Sequence, residues 1–178
     1  MIGKNNEAII LCGGQGTRFR SISETIPKAL ANVSGKPILR WLIDDMKNIG
    51  IRRIILATGH LGDEVKSFIS KENFNFCIIS NEEKPLGTGG AIKNAEKYIN
   101  SEHLIVLNGD SRIKYNFNKL INFHIKKDAD LSILVSSKII GSEYGNINVL
   151  GNFQVSYFKE KSKKILEKYT NAGVYCMN

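Results

Sequence analysis

A glycine-rich run followed by a fixed positive charge is the first place where this chain of 178 residues could do chemistry. The run reads Leu11-Cys12-Gly13-Gly14-Gln15-Gly16-Thr17-Arg18, and Pro27-Lys28 lies shortly downstream. Glycines let backbone N–H groups approach an anion, and a guanidinium offers paired donors to phosphate oxygens. The pattern predicts a phosphate-binding loop after a buried strand at Ala8 to Cys12, with a plain tight turn as the alternative that the run alone leaves open.

Spacing excludes two better-known phosphate-binding motifs. A Walker A loop places Lys-Ser or Lys-Thr directly after its last glycine, whereas Gly16 is followed by Thr17-Arg18. The dinucleotide fingerprint needs a third glycine where this chain has Phe19.

A single aspartate, Asp110, follows the apolar segment His103 to Leu107 and is a candidate Mg²⁺ ligand. Magnesium takes one or two protein carboxylates, keeps several waters, and completes its coordination with substrate phosphates. One carboxylate at the end of a strand is therefore a sufficient protein anchor. From spacing alone, a turn or helix-cap role explains Asp110 equally well.

Apolar strands and amphipathic helices alternate along the chain and must position these residues. Further strands are predicted at Arg53 to Thr58, Phe76 to Ser80, His103 to Leu107 and Leu131 to Ser136. Helices are predicted from Pro37 to Ile49, Asp63 to Ile69, Ala91 to Ile99 and Asn118 to Lys127. A hairpin of Tyr144 to Val149 with Phe153 to Phe158, and a last strand at Gly173 to Met177, follow.

This alternation predicts one α/β domain with a mostly parallel sheet and a C-terminal β-hairpin. In such sheets the ligand crevice lies at the carboxyl ends of the strands. Gly13 to Arg18, Glu82 to Gly90 and Asp110 all follow predicted strands, so we expect them on one rim.

Composition describes an ordinary globular chain, with 42% hydrophobic and 24% charged residues. No apolar run approaches the ~20 residues of a membrane helix, and no signal-peptide core is present, which predicts a cytoplasmic protein without membrane contact. The cysteines Cys12, Cys77 and Cys176 lack metal or redox spacing and are predicted to be reduced core residues. The net charge of +8 is mostly scattered, which favours a polyanionic small substrate over nucleic acid.

Taken together, L-x-G-G-x-G-T-R and the following P-K resemble the signature of the sugar-1-phosphate nucleotidyltransferases. The family's later segments occur in the same order, as Leu86 to Ala91, Asn108-Gly109-Asp110, Tyr144-Gly145, Glu160-Lys161 and Asn171 to Tyr175. The resemblance covers Ala8 to Met177 and is greatest to guanylyltransferases acting on heptose or mannose 1-phosphate. It implies a three-layer Rossmann-like nucleotide-diphospho-sugar transferase fold, and transfer from an NTP to a sugar 1-phosphate with Mg²⁺ as cofactor.

The resemblance also implies a role for each matching residue. Arg18 and Lys28 are the expected catalytic cations, and Asp110 is the expected metal ligand. The expected nucleotide-binding residues are Leu11, Gly13, Gly14, Gly16, Thr17, Glu82, Leu86, Gly87 and Thr88. The expected sugar-phosphate contacts are Gly145, Glu160, Lys161 and Asn171.

Glu82 favours GTP as the donor, because a carboxylate accepts from both N1–H and the N2 amine of guanine but repels the O4 of uracil. Cytosine also offers an amine, and a solvated Glu82 without contact to the base is a further alternative. The same fold with CTP, UTP or dTTP as donor therefore remains open, as does a non-catalytic nucleotide-binding module. The family pattern continues past this chain, so residues 1–178 are predicted to form a single domain without the family's C-terminal segment. The sugar is left open, and so is assembly into a homo-oligomer.

Overall fold

Eight strands form the central sheet of the protein, seen in a computed structural model that describes residues 6–14, 25–137, 145–159 and 168–178. The strands of the central sheet and of a smaller second sheet are, in chain order, β1 (Glu7–Leu11), β2 (Asn32–Val33), β3 (Lys36–Pro37), β4 (Arg53–Thr58), β5 (Cys77–Asn81), β6 (Leu104–Asn108), β7 (Leu131–Ser136), β8 (Asn146–Val149), β9 (Val155–Lys159) and β10 (Tyr169–Met177). The helices are α1 (Ile38–Asn48), α2 (Gly62–Lys71), α3 (Gly87–Ala95) and α4 (Phe117–Lys127), with 3-10 turns at Lys28–Leu30 and Glu96–Tyr98. Strands β2 and β3 form a separate two-stranded sheet.

Four parallel strands in the order β5-β4-β1-β6 make up one half of the central sheet. Strand β10 runs antiparallel beside β6 and pairs with β7 and β8, and β9 pairs with β8. The register aligns Leu11 with Ala57 on β4 and with Asn108 on β6. The carboxyl ends of the three central strands therefore lie side by side.

Helices cover both faces of the sheet. Residues Ala8 and Ile10 of β1 face a core cluster that contains buried side chains of α1, α2 and α4. Ile9 faces the opposite cluster, against which Ala91 and Ile92 of α3 pack. Successive strand residues point to opposite faces, so a strand buried on both faces appears in the sequence as a continuous apolar run. This arrangement confirms the predicted three-layer α/β fold.

Two strands match their predicted limits at every residue, Arg53–Thr58 and Leu131–Ser136. Helix α3 begins at Gly87 rather than at the predicted Ala91, because packing of its later residues on the sheet outweighs the low helix propensity of its glycines. Strand β10 begins at Tyr169 rather than at the predicted Gly173, since its first residues pair with β7 and β8.

The C-terminal hairpin is present as β8 and β9, and it is shorter than the predicted segments. Phe153 lies in its turn with a positive φ of 72°, so the second strand begins only at Val155. Tyr144, the predicted first residue of the hairpin, lies outside the described residues. No helix in the described ranges is both long enough and apolar enough to cross a bilayer.

Candidate active site

A cleft of about 460 Å³ opens at the carboxyl ends of β1, β4 and β6. Its lining includes the predicted metal ligand Asp110. It also includes six of the predicted nucleotide-binding residues, namely Leu11, Gly13, Gly14, Glu82, Gly87 and Thr88. The structure therefore brings the first glycines of the predicted phosphate loop, the Glu82 segment and Asp110 together on one rim.

Backbone hydrogen bonds hold the chain on both sides of this rim. The N–H of Cys12 donates to the Ala57 carbonyl at 2.7 Å, and the N–H of Gly109 donates to the Leu11 carbonyl at 2.9 Å. A Cβ on Gly109 would lie 2.6 Å from the Leu11 oxygen, so only glycine permits this approach. The close contact places Asp110 directly beside the end of β1.

Lys28 does not line the cleft but forms an ion pair with Asp110, which does. Lys28 Nζ donates to Asp110 Oδ2 at 2.6 Å, and Ser111 Oγ donates to Asp110 Oδ1 at 2.8 Å. Burial alone would raise the pKa of Asp110, but the hydrogen bonds from Lys28 and Ser111 and the lysine charge outweigh it and hold the pKa below its usual value. Both carboxylate oxygens therefore carry negative charge at neutral pH and already have a donor.

The position of Lys28 follows from the residue before it. Pro27 is buried with φ of −64°, and its carbonyl accepts from Leu30 N–H at 2.8 Å to close the 3-10 turn. Ala29 within that turn is buried in the core. Because the turn is anchored by its neighbours, the Lys28 side chain is directed outward, where it meets Asp110.

Glu82 follows β5 and is tied to the rim at both its backbone and its side chain. Its N–H donates to the Thr58 carbonyl at 2.8 Å, and its Oε2 accepts from the N–H of Leu86 at 3.2 Å. The half-buried carboxylate lines the main cleft and a neighbouring cavity of about 270 Å³ that also includes His60. Leu86 itself does not line the cleft, and its contribution is this N–H.

Two of the predicted sugar-phosphate residues lie together on the β8 and β10 side of the sheet. The N–H of Asn171 donates to the Gly145 carbonyl at 2.9 Å, and Asn171 Nδ2 donates to Tyr175 Oη at 2.6 Å. Gly173, with φ of +71°, packs against Asn108, so this part of β10 borders the same rim as Asp110. Neither Asn171 nor Gly145 lines the main cleft.

The remaining predicted site residues lie outside the described residues. They are Gly16, Thr17 and Arg18 of the phosphate loop and Glu160 and Lys161 of the sugar-phosphate set. Their roles stay predictions.

The structure also places at this rim residues that are absent from the predicted site, among them Ala57 and Gly59. Ala57 lines the main cleft, and Gly59 lines the neighbouring cavity. The available signal was Gly59 itself, since it follows the predicted strand Arg53 to Thr58 just as Gly13 follows β1.

The chemistry of the rim is compatible with a magnesium ion bound mainly by phosphates. No group of three or more His, Cys, Asp or Glu side chains within the described ranges could hold a metal on its own. Asp110 offers a hard, partly exposed carboxylate, which suits a cation that takes most of its ligands from substrate and water. The Cys12 thiol is no competing ligand, because burial raises its pKa to about 12.

The glycine-edged cleft lies at the carboxyl ends of the parallel strands of an α/β sheet, which is where proteins of this class bind their ligands. The nucleotidyl transferase model matches residues 7–178, so the chain belongs to the nucleotidyl transferase family.

Similar proteins extend this assignment. The chain is 34% identical over 173 residues to the D-glycero-alpha-D-manno-heptose 1-phosphate guanylyltransferase of Aneurinibacillus thermoaerophilus, covering 97% of this chain and 74% of that protein. It is 31% identical over 182 residues to the mannose-1-phosphate guanylyltransferase catalytic subunit beta of Drosophila melanogaster, covering 99% of this chain and 49% of that protein. The crystal structure of HddC from Yersinia pseudotuberculosis complexed with GMP-PN has a TM-score of 0.81 at 34% identity, covering 97% of this chain and 76% of that one.

These similarities confirm the predicted resemblance to sugar-1-phosphate nucleotidyltransferases and the predicted fold class. The single domain predicted over residues 1–178 and the roles of individual residues stay predictions.

Proposed function

We propose that this protein transfers the guanylyl group of GTP to a sugar 1-phosphate, with heptose or mannose 1-phosphate as the acceptor. An oxygen of the sugar phosphate forms a bond to the α-phosphorus while the bond from that phosphorus to the bridging oxygen breaks. Pyrophosphate leaves with the electron pair. The observation that supports this proposal most directly is that Glu82 lines the same cleft as Asp110, the residue to which Lys28 donates.

Glu82 supplies the argument for guanine. Its Oε2 already accepts from Leu86 N–H, and a carboxylate oxygen has a second lone pair for a base donor. The N1–H and N2 amine of guanine present two donors to the two carboxylate oxygens, whereas uracil and thymine would direct O4 toward them. CTP, UTP or dTTP is the alternative donor that the same cleft would accept if Glu82 did not reach the base.

Lys28 and Asp110 supply the argument for phosphoryl transfer. The incoming phosphate is already an anion at neutral pH, so the site needs no protein nucleophile and must instead orient two polyanions and neutralise their charge. A phosphate entering the cleft competes with Asp110 for the Lys28 ammonium, and the carboxylate released by that exchange becomes available to a cation. When bound there, Mg²⁺ would supply charge neutralisation to the phosphate oxygens.

The sugar phosphate is proposed to bind on the β10 side of the rim. Asn171 and Gly145 are linked by a backbone hydrogen bond, and the Asn171 amide is oriented by Tyr175. An amide fixed in this way can serve a sugar hydroxyl both as donor and as acceptor. Arg18, Glu160 and Lys161 are proposed to complete the phosphate and sugar contacts, and consumption of GTP is consistent with a cytoplasmic protein.

A substrate panel tests the proposal. Each of GTP, CTP, UTP and dTTP is incubated with mannose 1-phosphate, heptose 1-phosphate or glucose 1-phosphate, with and without Mg²⁺, and pyrophosphate release is measured. We expect metal-dependent release that is fastest with GTP. Faster release with another NTP would favour the alternative donor, and GTP binding without any turnover would favour a non-catalytic nucleotide-binding module.

A further inference from the structure

We infer that Gly59 is a positioning residue for base selection, because the absence of its side chain lets the Glu82 carboxylate lie where a guanine can meet it. This inference rests on the proposed function, since it assigns a cause to the preference for GTP. The site residues predicted from the sequence do not include Gly59.

The strand register places three residues in one row. Leu11 pairs with Ala57, so Gly13 and Gly59 each lie two residues beyond a paired position on β1 and β4. Thr58 pairs with Asn81, so Gly59 and Glu82 each lie one residue beyond a paired position on β4 and β5. The three strand ends therefore present glycine, glycine and glutamate side by side.

The glutamate side chain lies over both glycines. A Cβ on Gly59 would lie 2.8 Å from Glu82 Oε1 and 2.9 Å from its Cγ, and a Cβ on Gly13 would lie 3.0 Å from the same Oε1. In proteins, a Cβ atom essentially never lies closer than 3.0 Å to a heavy atom outside its own residue and its chain neighbours. The Glu82 carboxylate can occupy this position only because residue 59 has no Cβ.

A methyl group at position 59 should displace the side chain of Glu82 and shift the backbone by only a few tenths of an ångström. Both contacts under 3.0 Å are with side-chain atoms of Glu82, and the nearest backbone atom, the Gly13 carbonyl oxygen, would lie 3.1 Å away. Gly109 is the opposite case, because its closest contact would be the Leu11 carbonyl oxygen at 2.6 Å. Gly59→Ala therefore tests the carboxylate position without the loss of structure expected from Gly109→Ala.

The experiment compares GTP and UTP binding by calorimetric titration in the parent protein, Gly59→Ala, Glu82→Ala and the double variant. Gly151→Ala is the matched control, because a Cβ on Gly151 would contact nothing within 4 Å. We expect Gly59→Ala to lower the ratio of GTP to UTP affinity roughly tenfold. In the Glu82→Ala background the same change should have no further effect, because no carboxylate remains to be displaced.

Several results would overturn the inference. One is an unchanged affinity ratio in Gly59→Ala, and another is an equal loss with and without Glu82. A Gly59→Ala protein that does not fold, judged by urea unfolding beside Gly151→Ala, also contradicts it, since the backbone is expected to shift by only a few tenths of an ångström. Equal GTP and UTP affinity in the parent protein would instead refute the proposed guanine preference, and the inference with it.

Discussion

Replacing Lys28 with methionine tests whether the charge of this side chain serves the reaction or the stability of the fold. Methionine has a similar length and no charge, so Lys28→Met removes the 2.6 Å contact with Asp110 and little packing. The two side chains are 47% and 37% exposed, and ion pairs exposed to this extent contribute only about 0.2–1 kcal/mol to folding. A charge placed at a phosphoryl-transfer site is worth far more to the reaction, on the order of 3 kcal/mol or roughly 10²-fold in turnover.

We therefore expect Lys28→Met to lose at least about 10²-fold in kcat/KM for GTP while its free energy of unfolding falls by less than about 1 kcal/mol. Pyrophosphate release measures the first quantity, and urea unfolding followed by circular dichroism measures the second. Lys93→Met is the matched control. Lys93 Nζ on α3 also lies 2.6 Å from a carboxylate, that of Glu96 in the 3-10 turn that follows, and the two side chains are 77% and 62% exposed.

The control should retain both activity and stability. Turnover of Lys28→Met within a few-fold of the parent would remove Lys28 from the proposed mechanism. A loss of more than ~2 kcal/mol in unfolding free energy would show that the ion pair is mainly structural.

Three further predictions concern the same rim. Asp110→Asn should weaken the Mg²⁺ dependence of turnover more than it weakens metal-free GTP binding, and unchanged magnesium titration curves would exclude Asp110 as a ligand. Gly89→Ala should raise the free energy of unfolding by about 0.5–1 kcal/mol, because alanine favours the helix and its Cβ would meet nothing within 4 Å. Gly90→Ala should lower the free energy of unfolding by about 1–3 kcal/mol, because its Cβ would lie 2.7 Å from Leu86 Cβ. Equal urea midpoints for the two variants would contradict both expectations. The lowered pKa of Asp110 should stabilise the folded protein at pH values above the usual carboxyl pKa of about 4, and this stability should be lost as the pH falls through the pKa of Asp110 in the folded state. Lys28→Met should make that loss of stability smaller. The free energy of unfolding measured between pH 6 and about 2 tests this expectation.

The framework of the fold could be predicted from the sequence because buried parallel strands have a strong local signal. Strand β4 is the example, because its residues Ile54 to Ala57 form a continuous buried apolar run and the predicted limits Arg53 and Thr58 match those of the structure. The predicted start of α3 is wrong, because Gly87, Gly89 and Gly90 have the local pattern of a loop. Packing of this helix against β1 and β4 is a tertiary effect that local propensity does not contain.

The contacts inside the site depend on distances that the sequence does not encode locally. Lys28 and Asp110 are 82 residues apart in the chain, and their contact requires both the 3-10 turn after Pro27 and the close approach of Gly109 to Leu11. Each residue could be selected by its type and its place after a predicted element. The ion pair between them could not be predicted, because it depends on the position of the 3-10 turn relative to the strand ends.

The row of Gly13, Gly59 and Glu82 makes side-chain size at one strand end depend on side-chain length at the next. Parallel strands in register keep their ends about 5 Å apart, so a residue beyond one strand competes for space with the residue beyond its neighbour. The present direction of the Glu82 side chain therefore requires glycine at position 59, and a Cβ at position 59 requires a shorter or differently directed side chain at position 82. The proposed base selection is consequently a property of the pair, and changing Glu82 alone leaves open the space that Gly59 provides.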